Sequence, residues 1–215
     1  IRSSRGVDEA GAKAVLADAR KVAAQYGDDP AVQVALAEAE HDGGNDALAI
    51  AAADAALAKD PTQVNAYVQK GLSLLRLAEK AKPEDQPAAY KRARSAFLAL
   101  NRLENDHPLP LIFNYKIFTE QGLEPPPLAL AGLERAMELA PFDLGLRMNL
   151  AMQELRFGKR DLARRNLAPV AYNPHGGGLA KAAQEALAKM ESDPKWNGSG
   201  LVASPDIDVG NGQGS

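Results

Sequence analysis

The chain has 215 residues, 46% of them hydrophobic but only 5% aromatic, so a core must be built largely from Ala and Leu, which suits packed helices better than a sheet. A net charge of -3 with both signs mixed along the chain leaves no basic stripe for a phosphate backbone, so nucleic acid is not an expected partner. With no Cys, disulfides, thiolate metal sites and a Cys nucleophile are excluded together, while cytoplasm and bacterial periplasm both stay open.

No stretch reaches the roughly 18 apolar residues of a membrane span, so membrane insertion is not expected. Ile1 in place of Met, with a helix close behind, suggests a domain or processed product of a longer protein. The first expected helix, 8–26, is amphipathic, with Val15, Ala19 and Val22 on its apolar face.

From Pro30 the chain reads as a helix, a turn at His41-Asp42-Gly43-Gly44-Asn45, a second helix and a stop at Pro61. Counting Pro30 as position 1, the small residues Ala37, Ala49 and Ala56 occupy positions 8, 20 and 27, and Pro61 occupies 32. This pattern resembles the tetratricopeptide repeat, whose two helices approach through small residues at those places. Three further units follow in register. The second starts near Val64 and carries Tyr67, Gly71, Ala93, Phe97 and Leu100. It is about ten residues longer than the first between its two small positions, around Lys82-Pro83-Glu84-Asp85-Gln86-Pro87, which predicts lengthened helices joined by a Pro-bounded loop. Lys91, Arg92 and Arg94 on its second helix read as a solvated face.

The third unit is placed from Pro110, with Ile117 at the small position, Pro125-Pro126-Pro127 leading into its second helix, and Ala129, Leu133, Ala136 and Pro141 after them. The fourth starts at Leu144 and carries Ala151, Ala163, Leu167, Val170 and Pro174. A last helix over 178–190 sets Lys181, Gln184, Glu185 and Lys189 against Leu179, Ala182, Ala183, Ala186 and Leu187, the solvating cap that an open array needs.

The resemblance implies an all-α, right-handed superhelical solenoid of antiparallel hairpins over residues 1–190. Its repeats are expected at about 30–63, 64–109, 110–143 and 144–177, with flanking helices 8–26 and 178–190. Residues 191–215 turn to Gly, Ser, Asp and Asn, a tail without its own core, in which Trp196, Leu201, Val202 and Ile207 are the apolar groups able to dock on a helical surface.

Strings that suggest chemistry lack their context. His175-Gly176-Gly177-Gly178 would form an oxyanion hole only beside a Gly-x-Ser-x-Gly elbow, which is absent. Gly198-Ser199-Gly200-Leu201-Val202-Ala203 approaches a dinucleotide loop without a βαβ frame. His41, His107 and His175 fall at separate turns, and the pairs Asp28-Asp29 and Asp206 with Asp208 read as helix-start and tail residues, so no catalytic residue, cofactor or metal is expected.

The resemblance implies a non-catalytic scaffold that binds a protein or peptide partner, an extended peptide or amphipathic segment, in a concave groove lined by the first helix of each hairpin. Carried onto this chain, the groove residues are Val34 and Glu38, Val68 and Leu72, Asn114 and Phe118, and Met148 and Met152. They are largely apolar and include two Met, adaptable on a binding surface. The Lys and Asn pattern with which some family members clamp a terminal carboxylate is missing. One alternative is a structural or regulatory C-terminal domain appended to an enzyme. Leu167-Ala168-Pro169-Val170-Ala171-Tyr172-Asn173-Pro174-His175-Gly176 is similar to bacterial multidomain proteins in which such repeats follow a metallopeptidase-like domain, although His-Glu-x-x-His is absent. Another is a homodimer formed through the N-terminal helix or the C-terminal tail.

Overall fold

A computed structural model describes residues 9–200. They form ten helices and no strand: α1 Glu9–Tyr26, α2 Pro30–Asp42, α3 Asp46–Lys59, α4 Val64–Lys80, α5 Gln86–Leu103, α6 Pro108–Glu120, α7 Pro127–Leu139, α8 Leu144–Arg156, α9 Arg160–Ala171 and α10 Gly177–Ser192. The chain divides at Pro125 and Pro126 into two compact units, α1–α6 and α7–α10.

Helix boundaries follow local chemistry. Pro30 stands in the first turn of α2, where its missing N–H has no intrahelical partner, and the Asp29 carboxylate accepts from the Ala31 N–H at 2.8 Å. Three helices, α2, α6 and α8, end in the same way. Gly44, Gly122 and Gly158 have φ of 78°, 66° and 70°, a region that L side chains avoid. The next N–H then returns to a carbonyl in the last turn: Asn45 to Glu40 at 2.8 Å, Leu123 to Phe118 at 2.9 Å and Lys159 to Glu154 at 2.8 Å. Between α4 and α5 this closure is replaced by the Pro-bounded loop foreseen from the insertion, and those two helices reach 17 and 18 residues.

In the first unit α2 packs on α3 and α4 on α5 as hairpins, with α1 against α2 and α6 against α5. In the second, α8 pairs with α9, and α7 and α10 flank them. The residues predicted to let helices approach are buried without exception: Ala49, Ala93, Ala129 and Ala163 are all 0% exposed. Gly71 shows why bulk is excluded there, since a Cβ on it would lie 2.5 Å from Cε1 of Phe97. The Phe97 ring stacks on Phe113 with centroids 4.7 Å apart, joining α4, α5 and α6. Val15 and Ala19 of α1 are buried, while α10 buries Ala183, Ala186 and Met190 and exposes Lys181, Gln184, Glu185 and Lys189.

His107 caps α6: its Nδ1 accepts from the Leu109 N–H at 3.3 Å, which requires the neutral ring. Burial lowers its pKa below the ordinary 6.5, outweighing the opposing charge of Glu104. A lowered histidine pKa gives stability that is complete above 6.5 and is lost as pH falls through the folded value. His107→Asn, which caps at any pH, should remove a component of about 1 kcal/mol from the acid side of the stability profile. Denaturation midpoints of both proteins between neutral pH and pH 5 measure it, and identical profiles would refute the assignment.

Candidate functional site

In the first unit α2, the first helix of one hairpin, lies against α4, the first helix of the next, and α4 touches α6. The expected groove residues divide on this surface. Val34 and Glu38 on α2 and Leu72 on α4 are half-buried, whereas Val68 is buried at 4% exposure. Val34 packs at the edge of an alanine cluster of Ala37, Ala52, Ala53, Ala56 and Ala66.

Asn114 and Phe118 turn elsewhere. Helix α6 begins at Pro108, two residues before the Pro110 from which the third unit was counted. The turn bond places Phe118 where Glu40 and Glu154 stand in their own helices, and a two-residue offset rotates a helix face by about 200°. Both side chains accordingly meet α5. Arg94 Nε donates to Asn114 Oδ1 at 2.9 Å, and its guanidinium lies 5.1 Å from the Phe118 ring centroid. Lys91 and Arg92 are solvated as expected, but Arg94 is half-buried in this contact. Counted from the observed helix start, the groove register of α6 falls on Ile112, which is buried at 2% exposure, and on Lys116, which is half-buried.

In the second unit Met148 is fully buried, and Met152 is 7% exposed beside Leu155 in a core cluster with Ala163, Leu167, Val170 and Met190. Part of what covers this face is the segment after α10. Trp196 packs against the cluster, and buried Gly198 lies so close that a Cβ on it would stand 2.8 Å from Met152 Cε. The Trp196 expectation is therefore met within the second unit, whereas Leu201, Val202, Ala203, Asp206, Ile207 and Asp208 lie outside the described residues. Arg160, to which the periodicity assigned nothing, ties the segment to the end of α10: Nη1 donates to Trp196 O at 2.7 Å and Nη2 to Asp193 O at 3.2 Å and to Met190 O of α10 at 2.7 Å.

Two constellations resemble chemistry. His41 Nδ1 is 2.8 Å from Ser73 Oγ and 3.6 Å from Asp46 Oδ1, a serine, a histidine and an aspartate together. Both partners address the same ring nitrogen and Ser73 is 0% exposed, so the hydroxyl is closed to a substrate and the group works as an internal tie. Arg76 completes it, with Nε donating to both Asp46 oxygens at 2.7 and 2.9 Å and Nη2 to the His41 carbonyl. Between α7 and α8 a pocket is lined by Leu130, Leu133, Leu150 and Phe157 with Glu154. Burial pushes the Glu154 carboxyl above its ordinary range, against hydrogen bonds at 3.2 and 3.0 Å from Asn166 Nδ2. His175 is exposed, and the glycines after it lead into α10. Among the described residues no three His, Asp or Glu side chains are gathered to hold a metal ion.

No family model and no curated protein matches the chain. Solved structures do. TTC0263, a thermophilic TPR protein of Thermus thermophilus, superposes with a TM-score of 0.67 at 19% identity over 83% of this chain and 92% of its own. MamA superposes with a TM-score of 0.59 at 15% identity over 84% and 93%. Likeness at such identities speaks for the fold alone, and together with the hairpins and their buried small residues it shows that this chain has the tetratricopeptide-repeat fold.

Proposed function

We propose that the chain is a non-catalytic scaffold that binds polypeptide on the first-helix surface of its repeats. The observation that carries this reading is the side-by-side placement of α2 and α4 in the first unit, with Val34, Glu38 and Leu72 only partly covered at the positions where this fold receives ligands. A half-buried apolar side chain on a rigid helix needs no reordering to receive a partner and keeps contact area to give. Of the buried members of the expected set, Val68 sits in α4 with 4% exposure, and Met148 belongs to the core of the second unit.

The test is a selection of displayed peptides against the chain, followed by affinity measurement on wild type and on Leu72→Lys. A charge placed at the centre of an apolar contact should weaken selected peptides by about 100-fold, the range of an interface hot spot, with far-UV circular dichroism unchanged. Failure to enrich any peptide, or equal binding by the variant, would reject the surface.

A further inference from the structure

The segment after α10 is seated on a helix face of the kind that receives ligands in this fold. Its backbone is pre-folded by its own side chains: Asp193 Oδ1 accepts from the Lys195 N–H at 2.8 Å, Asn197 Oδ1 from the Ser199 N–H at 3.2 Å, and Trp196 Nε1 donates to the Ser199 carbonyl at 2.8 Å. What α8–α10 contribute is a set of separate receptors. Arg160 offers its fork to the carbonyls of Asp193 and Trp196 as well as to that of Met190 within α10, Lys189 sets its ammonium 5.6 Å from the indole centroid, and Met152 and Leu155 form an apolar seat where a Cβ would press on the terminal methyl of Met152. Gly198 suits that seat above all through its backbone, whose φ of 92° is one that side chains disfavour.

We propose that this face is a binding site for a Trp-x-Gly turn, occupied in cis by Trp196-Asn197-Gly198, and that a partner carrying the same turn binds by exchanging with it. This deepens the scaffold reading above and rests on it. The contacts to Asp193 O and Trp196 O are made to backbone, so they fix the path of the chain into the turn whatever its side chains, while indole and glycine supply the selection. Tethering sets the strength of the internal competitor, since a short link presents a segment at an effective concentration on the order of millimolar. A free peptide therefore meets an occupied site in the wild-type chain and an emptied one when the internal turn is disabled.

Trp196 is the only tryptophan, so its emission reports the segment directly. In the full chain Gly198→Val should eject the segment, shifting Trp196 emission to the red and opening it to acrylamide, with the helical circular dichroism retained. The second variant, Trp196→Ala, has no tryptophan of its own, and the peptide Ser-Asp-Pro-Lys-Trp-Asn-Gly-Ser-Gly is then the sole emitter. Its emission should shift to the blue and saturate on this variant, bind wild type at least about tenfold more weakly because of the tethered competitor, and lose binding when Arg160→Ala is added. If the folded Trp196→Ala chain does not bind the peptide, or if wild type and variant bind it equally, the segment is a stability cap and the proposal falls. Leu72 lies in the other unit, so loss of peptide binding by Leu72→Lys speaks to the scaffold reading alone, and the two failures are told apart.

Discussion

Replacing Phe97 with alanine is expected to remove about 3–5 kcal/mol from the stability of the first unit, a large share of the total for a domain of this kind. Phe97 is fully buried, its ring stacks on Phe113 of α6 at 4.7 Å, and its edge fills the space left by Gly71 on α4. Truncation therefore opens a cavity at the meeting of three helices, where collapse of any one would disturb the other two. The partner experiment fills the same space from the other side. Gly71→Ala sets a Cβ 2.5 Å from the ring and should cost about 1–3 kcal/mol, although alanine is the better helix former by about 1 kcal/mol. In the Phe97→Ala background the added methyl enters the cavity, so the cost of Gly71→Ala should shrink or change sign. Denaturant unfolding of the four proteins gives the coupling, and additive costs would mean that the ring is not what excludes a side chain at Gly71.

The second large effect is electrostatic. Asp46 is 4% exposed and receives Arg76 through both oxygens, with Lys80 at 3.6 Å, while the Arg76 side chain keeps 29% of its surface in water. The two partners are therefore unequal. Arg76→Met preserves much of the aliphatic packing but leaves the buried carboxylate to the more distant Lys80 and uncovers the His41 carbonyl, at an expected cost of up to about 3–5 kcal/mol. Asp46→Leu should cost less, because the guanidinium left behind can turn to solvent. The double variant Arg76→Met, Asp46→Leu should lie much nearer wild type than Arg76→Met alone, since an apolar pair needs no charge compensation. A double variant as unstable as the sum of the singles would show that the pair acts through shape and not through charge.

Helix starts and stops at the first hairpin were legible because they are made by neighbours in the chain: Asp29 caps α2 two residues on, and Gly44 in the turn His41–Asn45 closes it. The alanines between helices were legible because close approach admits little else, and their recurrence survives the longer second unit. The start of α6 was misplaced by two residues because two prolines, Pro108 and Pro110, both satisfy the start signal, and His107, whose ring nitrogen is the cap, is not among the usual capping residues. That small offset turned Asn114 and Phe118 from the expected surface onto Arg94.

What the amino-acid sequence determined by itself is therefore the all-helical hairpin architecture and the residues at its tightest approaches, through short-range punctuation and steric exclusion that any tertiary setting must respect. Tertiary structure alone decided which of the eight expected groove residues are accessible, that Arg160 reaches the carbonyls of Met190 and Trp196, 30 and 36 positions away, and that Arg76 meets Asp46 across 30 positions. The physical reason is that a charge finds its partner by proximity in space. Periodicity along the chain identifies a helix face and leaves unstated what comes to lie on it.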